Sequence, residues 1–172
     1  RVLFPILSAL YMPIILMVIS LIFRGVAFEF RFKAHRGRHW WDIAFIGGSL
    51  LTSFLQGVIL GAYIQGIKTT NGIYSGGGLD WLTPFSLFTG VGVVILYATL
   101  GCGWLIFKTD HELQDKMFQL MPKLIIVLLL VFGAVSLYTP LAHQQIAERW
   151  FSQPQIFYFS PVPILVVLFT LK

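Results

Sequence analysis

An all-α fold, a polytopic transmembrane helix bundle, is what this sequence predicts. Three observations predict it: four long runs without charge, a composition too apolar for water, and basic residues gathered in alternate loops. Of the 172 residues 57% are apolar and only 11% charged, with a mean hydropathy of +0.82. A soluble domain of this size has no interior large enough for so much hydrocarbon, so lipid must be the solvent.

The four runs are Val2 to Phe23, Ile43 to Ile67, Leu82 to Phe107, and Leu124 to about Ala142, and none contains Asp, Glu, Lys, Arg or His. Each approaches or exceeds the roughly 20 residues that a helix needs to cross a hydrocarbon core of about 30 Å. A fifth apolar run begins at Pro161 and is about half that length when Lys172 is reached, so 161–172 reads as a truncated span. Residue 1 is Arg, and the apolar run follows it with no charged leader or small-residue cleavage site, which argues against a secretory signal. The expectation is one transmembrane domain over 1–172, an interior fragment of a longer subunit.

Orientation follows from Lys and Arg, which are retained on the cytoplasmic side. Loop 24–42 carries Arg24, Arg31, Lys33, Arg36 and Arg38, and loop 108–123 carries Lys108, Lys116 and Lys123. Against these eight, the loops 68–81 and 143–160 hold only Lys68 and Arg149. Loops 24–42 and 108–123 are therefore predicted cytoplasmic. The same bias, together with the attraction of juxtamembrane bases for anionic headgroups, accounts for the net charge of +5 without invoking nucleic acid, whose readers set aromatics on a basic surface. Cys102 is single and lies within a span, so no internal disulfide forms.

In the second run Ser49, Ser53, Gly57 and Gly61 recur every four residues, which lines small side chains along one stripe of a helix. The stripe suits close packing against another helix or a partner subunit. Gln56, one turn from Thr52, lies near mid-membrane, where an unsatisfied amide is costly. It must face protein or a wet cavity, through an interhelical hydrogen bond or a quinone, water or substrate contact. The third run has Gly90, Gly92, Gly101 and Gly103 near its ends, with Cys102 and Trp104, and reads as packing and interfacial anchoring.

The first basic loop is the richest in chemistry. Apolar and charged residues alternate from Phe28 to Lys33, and Trp40 with Trp41 closes the loop at the headgroup level, where indole rings prefer to sit. Glu29 and Arg24 flank the inner mouth of the first span. They read either as a solvated ion pair of small value or as a proton uptake point, since a carboxylate near hydrocarbon is pushed toward its protonated form. His35, His39, His111 and His143 all lie outside the runs, leaving no imidazole at membrane depth for haem. Met12 and Met17 read as packing. The i, i+4 pair His35 and His39 lacks a third metal ligand, and no phosphate loop, nucleophile elbow or metal motif is present.

The segment Arg24-Gly25-Val26-Ala27-Phe28-Glu29-Phe30-Arg31, with Tyr11 to Met17 before it and Phe45 to Ser49 and Leu55-Gln56-Gly57 after it, resembles subunit II of the cytochrome bd ubiquinol oxidases, especially the cyanide-insensitive variant. The resemblance is strongest from about Leu10 to Gly66. It implies the haem-free subunit of a bacterial inner-membrane quinol:dioxygen oxidoreductase, which reduces dioxygen to water and builds a proton-motive force without pumping. It further implies a partner subunit I carrying haem b and haem d, ubiquinol as substrate, and a role for this chain in scaffolding and in proton and oxygen access. Glu29 stands at the family's acid in this segment, with Arg24 and Arg31 beside it as companion proton-pathway candidates; no catalytic, cofactor-binding or metal-binding residue is expected in this chain. The family's other acids, on earlier helices, have no counterpart here. The competing expectation is a fragment of a secondary transporter, suggested by Gln56 and the glycines, although no internal repeat supports it.

Overall fold

The computed structural model describes residues 3–34, 37–66, 69–70 and 73–142. Among the described residues five helices follow one another: α1 (Leu3–Ala9), α2 (Tyr11–Lys33), α3 (Arg38–Gln65), α4 (Pro84–Lys108) and α5 (Glu112–Ala142). Between α3 and α4 the strands β1 (Thr69–Thr70) and β2 (Ile73–Tyr74) form a two-residue antiparallel ladder, with Thr69 opposite Tyr74. Four helices are long and apolar enough to cross a membrane, over Tyr11–Lys33, Arg38–Gln65, Pro84–Lys108 and Glu112–Thr139. At 1.5 Å per residue the shortest is about 35 Å long, enough to span the hydrocarbon. The protein is an all-α, multi-pass membrane protein. The truncated span expected at 161–172 lies outside the described residues.

The boundaries differ from those read by hydropathy. The first run, expected as one span over Val2 to Phe23, is broken at Leu10, and the membrane-crossing helix is α2. Pro13 has no N–H to donate to the Ala9 carbonyl, and its ring crowds that oxygen; the backbone turns one residue after it. At its other end α2 continues ten residues past Phe23, so Arg24 to Lys33, expected as loop, is helical. Charge ends a hydrophobic run without ending a helix, and no proline stands in this stretch. The helix stops at Ala34, whose N–H still bonds the Phe30 carbonyl at 2.9 Å. Gly37 starts α3 from a left-handed backbone (φ 85°) that glycine adopts freely.

Likewise α5 begins at Glu112 rather than at Leu124, so that Lys116 and Lys123 are helical. Glu112 and Asp115 occupy its first turn, where the helix dipole favours acids. Gln114 donates its side-chain amide to the Ile106 carbonyl at 2.9 Å, satisfying one of the orphan acceptors at the end of α4.

The chain divides into two compact units, Arg1–Ala98 and Thr99–Lys172, and α4 runs from one into the other. The first has its core where Leu10, Val58, Ala62 and Trp81 meet, with Ile14, Phe54 and Leu87 packed around them. In the second, the Cys102 thiol is buried and reaches the Met117 carbonyl at 3.4 Å. Most large apolar side chains along the spans are exposed, as lipid permits: Phe23 at 60% and Leu130 at 68%.

Candidate functional site

Helix α3 is the spine on which the first unit is assembled. A β-carbon on Gly48 would stand 3.0 Å from the Ser20 carbonyl and 3.3 Å from the Arg24 nitrogen, so α2 crosses here with its backbone against α3. A β-carbon on Gly57 would come within 2.7 Å of the Gly90 α-carbon and the Thr89 carbonyl, and one on Gly61 within 2.7 Å of the Ser86 α-carbon. Gly57 lies nine residues beyond Gly48, about half a turn around the helix axis at 3.6 residues per turn. The two close approaches therefore use opposite faces of α3. Ser49 and Ser53, the other members of the expected stripe, bond their hydroxyls back to Phe45 and Ser49 carbonyls at 2.8 and 3.0 Å. Thr52 does the same to Gly48 at 2.7 Å and is buried. Gln56 accepts a hydrogen bond from the Tyr97 hydroxyl of α4 at 3.1 Å while remaining exposed.

The C-terminal end of α2 turns the alternating segment into helix faces. Phe28 and Phe32, four residues apart, meet edge to face at 5.3 Å, and Phe28 also approaches Phe45 of α3 at 6.3 Å. Phe30 stacks on Trp41 at 5.2 Å. Arg24 sets its guanidinium over the Phe45 ring, 5.7 Å from the centroid. That guanidinium lines an open groove of about 330 Å³ with Leu21, Gly25, Phe28 and Phe45.

Glu29 pairs with Lys33 one turn on, at 3.1 Å, with both side chains about 70% exposed. Arg31 pairs with Asp42 across the α2–α3 turn. The structure thus gives Glu29, Arg24 and Arg31 three different companions and does not join Glu29 to Arg24. Five residues apart on a helix, those two point about 140° away from each other. Asp42 and Phe45 complete this cluster and were missed by sequence reasoning; their signal was the Trp40-Trp41-Asp42 turn entering α3. His39 lies in the first turn of α3, whereas His35 and His143 lie outside the described residues. Among the described residues no cluster of three or more His, Cys, Asp or Glu could hold a metal.

A second cavity, of about 400 Å³, opens at the other end of α3, where Gln65 and Gly66 meet the connection to α4. Thr83 there bonds Gln65, and Thr83 and Ser86 cap α4 reciprocally, each backbone or hydroxyl group serving the other at 3.0 to 3.1 Å ahead of Pro84. Tyr74 has its hydroxyl 2.7 Å from the Gly77 carbonyl and beside the Asp80 carboxylate. Burial, then the Asp80 charge, then the hydrogen bond to that carboxylate raise its pKa above the ordinary value of 10.0.

Membrane-crossing helices fastened by backbone contact, with a charged and aromatic collar at one end, define a multi-pass integral membrane subunit. Residues 2–172 match the family of cytochrome bd terminal oxidase subunit II, and the chain belongs to that family. It is 32% identical over 140 residues to the cytochrome bd ubiquinol oxidase subunit 2 of Bacillus subtilis, covering 77% of this chain and 41% of that protein. With the cytochrome bd-I ubiquinol oxidase subunit 2 of Escherichia coli it shares 33% over 114 residues, covering 62% of this chain and 30% of that one. A probable cytochrome oxidase subunit 2 of Haemophilus influenzae is 30% identical over 116 residues, covering 63% and 31% respectively. The chain thus spans about a third to two fifths of the length of these curated relatives. The comparisons lend no support to the transporter expectation.

Proposed function

We propose that this chain serves as the haem-free second subunit of a quinol oxidase in a bacterial inner membrane, with loops 24–42 and 108–123 on the cytoplasmic side. The observation that carries the reading is the family match over residues 2–172, which includes the charged end of α2. Relatives bearing the names of ubiquinol oxidase subunits support quinol as the reductant. Haem b and haem d, held by a partner subunit I, supply the electron transfer that reduces dioxygen to water. Among the described helices α2 to α5 no histidine lies deeper than the first turn of α3, which supports the reading that the haem ligands belong to the partner.

What this chain supplies is position and protons. Backbone-level contacts through Gly48, Gly57 and Gly61 hold α2, α3 and α4 as a scaffold for the partner. Dioxygen reduction consumes protons, and Glu29 is a carboxylate open to water on the predicted cytoplasmic side, paired one turn on with Lys33 at 3.1 Å. Arg24 and Arg31 hold the surrounding helix ends through Phe45 and Asp42.

Replacing Glu29 by Gln in the intact oxidase tests the reading. Turnover per haem should fall at least several-fold while haem content stays at the wild-type level. Wild-type turnover would reduce Glu29 to an interfacial charge, and a joint fall of haem and turnover would make it structural.

A further inference from the structure

The cavity at the far end of α3 combines features that the proton and scaffold roles leave unused. Its wall brings together the Asp80 carboxylate, the Gln65 amide, the Thr83 hydroxyl and the rings of Tyr74 and Trp81. Among the described residues its lining includes no lysine, arginine or histidine. Several neutral donors have partners in the wall itself: the Trp81 indole N–H goes to the Gly78 carbonyl at 2.9 Å, the Tyr74 hydroxyl lies 2.7 Å from the Gly77 carbonyl and beside Asp80, and the Thr83 hydroxyl faces the Gln65 amide oxygen and Ser86. A carboxylate beside aromatic rings, given a share of the Tyr74 hydroxyl proton but no cation among the described residues of the wall, asks for a ligand that is positively charged and rich in N–H donors. Burial first and the Asp80 charge second push the Tyr74 hydroxyl's pKa up, in keeping with a negative local field beside the carboxylate.

Placement narrows the ligand further. Gln65 is the last residue of α3 and Pro84 the first of α4, so the cavity lies at headgroup depth, with Trp81 beside it as interfacial tryptophans stand. Ala9, Leu10, Ala62 and Leu82 give its inner wall an apolar lining. At about 400 Å³ it falls within the range of about 300–1,000 Å³ typical of small-molecule sites, larger than a bare ion requires. We propose that this cavity binds the primary ammonium of a phosphatidylethanolamine headgroup from the leaflet on the side of the 68–81 connection, with Asp80 as counter-ion. Phosphatidylglycerol brings no ammonium and sets its phosphate against Asp80. Phosphatidylcholine carries the charge but no N–H to donate. The other source of a primary ammonium is the chain's own Lys68, two residues beyond Gly66.

The test uses the intact oxidase complex in nanodiscs of equal parts phosphatidylethanolamine, phosphatidylglycerol and phosphatidylcholine, stripped by detergent and read by native mass spectrometry for retained lipid. Wild type should retain phosphatidylethanolamine over both others. Asp80→Asn should lower that preference about tenfold, the loss expected for a charge-assisted hydrogen bond, at unchanged haem content. Lys68→Ala should leave the preference unchanged. Equal retention of the three lipids by wild type overturns the proposal without recourse to any variant, as does an Asp80→Asn complex with undiminished preference. A preference seen only after Lys68→Ala would overturn it too, in favour of the lysine as resident cation.

Discussion

Where α2 and α4 cross α3, backbone meets backbone; at the C-terminal end of α2, long charged side chains meet in the open. The first region is made of glycine and small hydroxyl residues: Gly48 against Ser20 and Arg24, Gly57 against Gly90, Gly61 against Ser86. The second is made of Glu29–Lys33 and Arg31–Asp42, with side chains 39% to 73% exposed. In lipid the solvent gives helices no hydrophobic reason to associate, so close packing and dispersion must hold them. Open ion pairs contribute only about 0–1 kcal/mol each. The contrast teaches a division of labour, in which the glycine seam carries the fold and the collar is free to carry function.

The sharpest way to break that division is Gly57→Leu. Its side chain would drive into the Gly90 backbone, which cannot give way as a flexible side chain would, at a cost of at least about 3 kcal/mol. Subunit and partner haem should disappear together from the membrane, measured by immunoblot and reduced-minus-oxidised spectra. Gly57→Ala should show the same loss in weaker form. Next in size is Glu29→Gln, which should slow turnover several-fold at constant haem.

Smaller again is the Arg31–Asp42 pair. A double-mutant cycle with Arg31→Ala and Asp42→Ala, read by thermal unfolding in detergent, should return a coupling below about 1 kcal/mol. The smallest effect is at Tyr74. Because folding raises its pKa, the protonated hydroxyl adds stability that is fully present below pH 10.0 and is lost as pH rises through the folded-state value. An ultraviolet titration of tyrosinate should show Asp80→Asn moving the Tyr74 midpoint downward.

Fold class and the number of described spans were legible because hydropathy reports the solvent around each segment directly. Helix ends were not, because the backbone of α2 continues through Arg24 to Lys33 after lipid gives way to water, and α5 starts twelve residues before its apolar run. The break at Leu10 did have a signal in Pro13. The stripe placed Gly57 and Gly61, but the approach of α2 falls on Gly48, one residue off it, since nothing in one helix's pattern says which neighbour it faces. The Glu29 segment was visible as chemistry, yet its strict alternation suggested neighbours by sequence, whereas the helix pairs Glu29 with Lys33 and Phe28 with Phe32. The cavity around Gln65, Tyr74, Asp80 and Thr83 escaped notice because segments distant in sequence build it; its local hint was the Gly76-Gly77-Gly78 run ahead of Asp80 and Trp81.

The proposal that this subunit supports redox chemistry performed by a partner is tested most directly by haem spectroscopy of the subunit purified with and without that partner. The subunit alone should show no Soret band, while the assembled pair should absorb as b-type and d-type haem. A stoichiometric haem on the subunit alone would contradict the account.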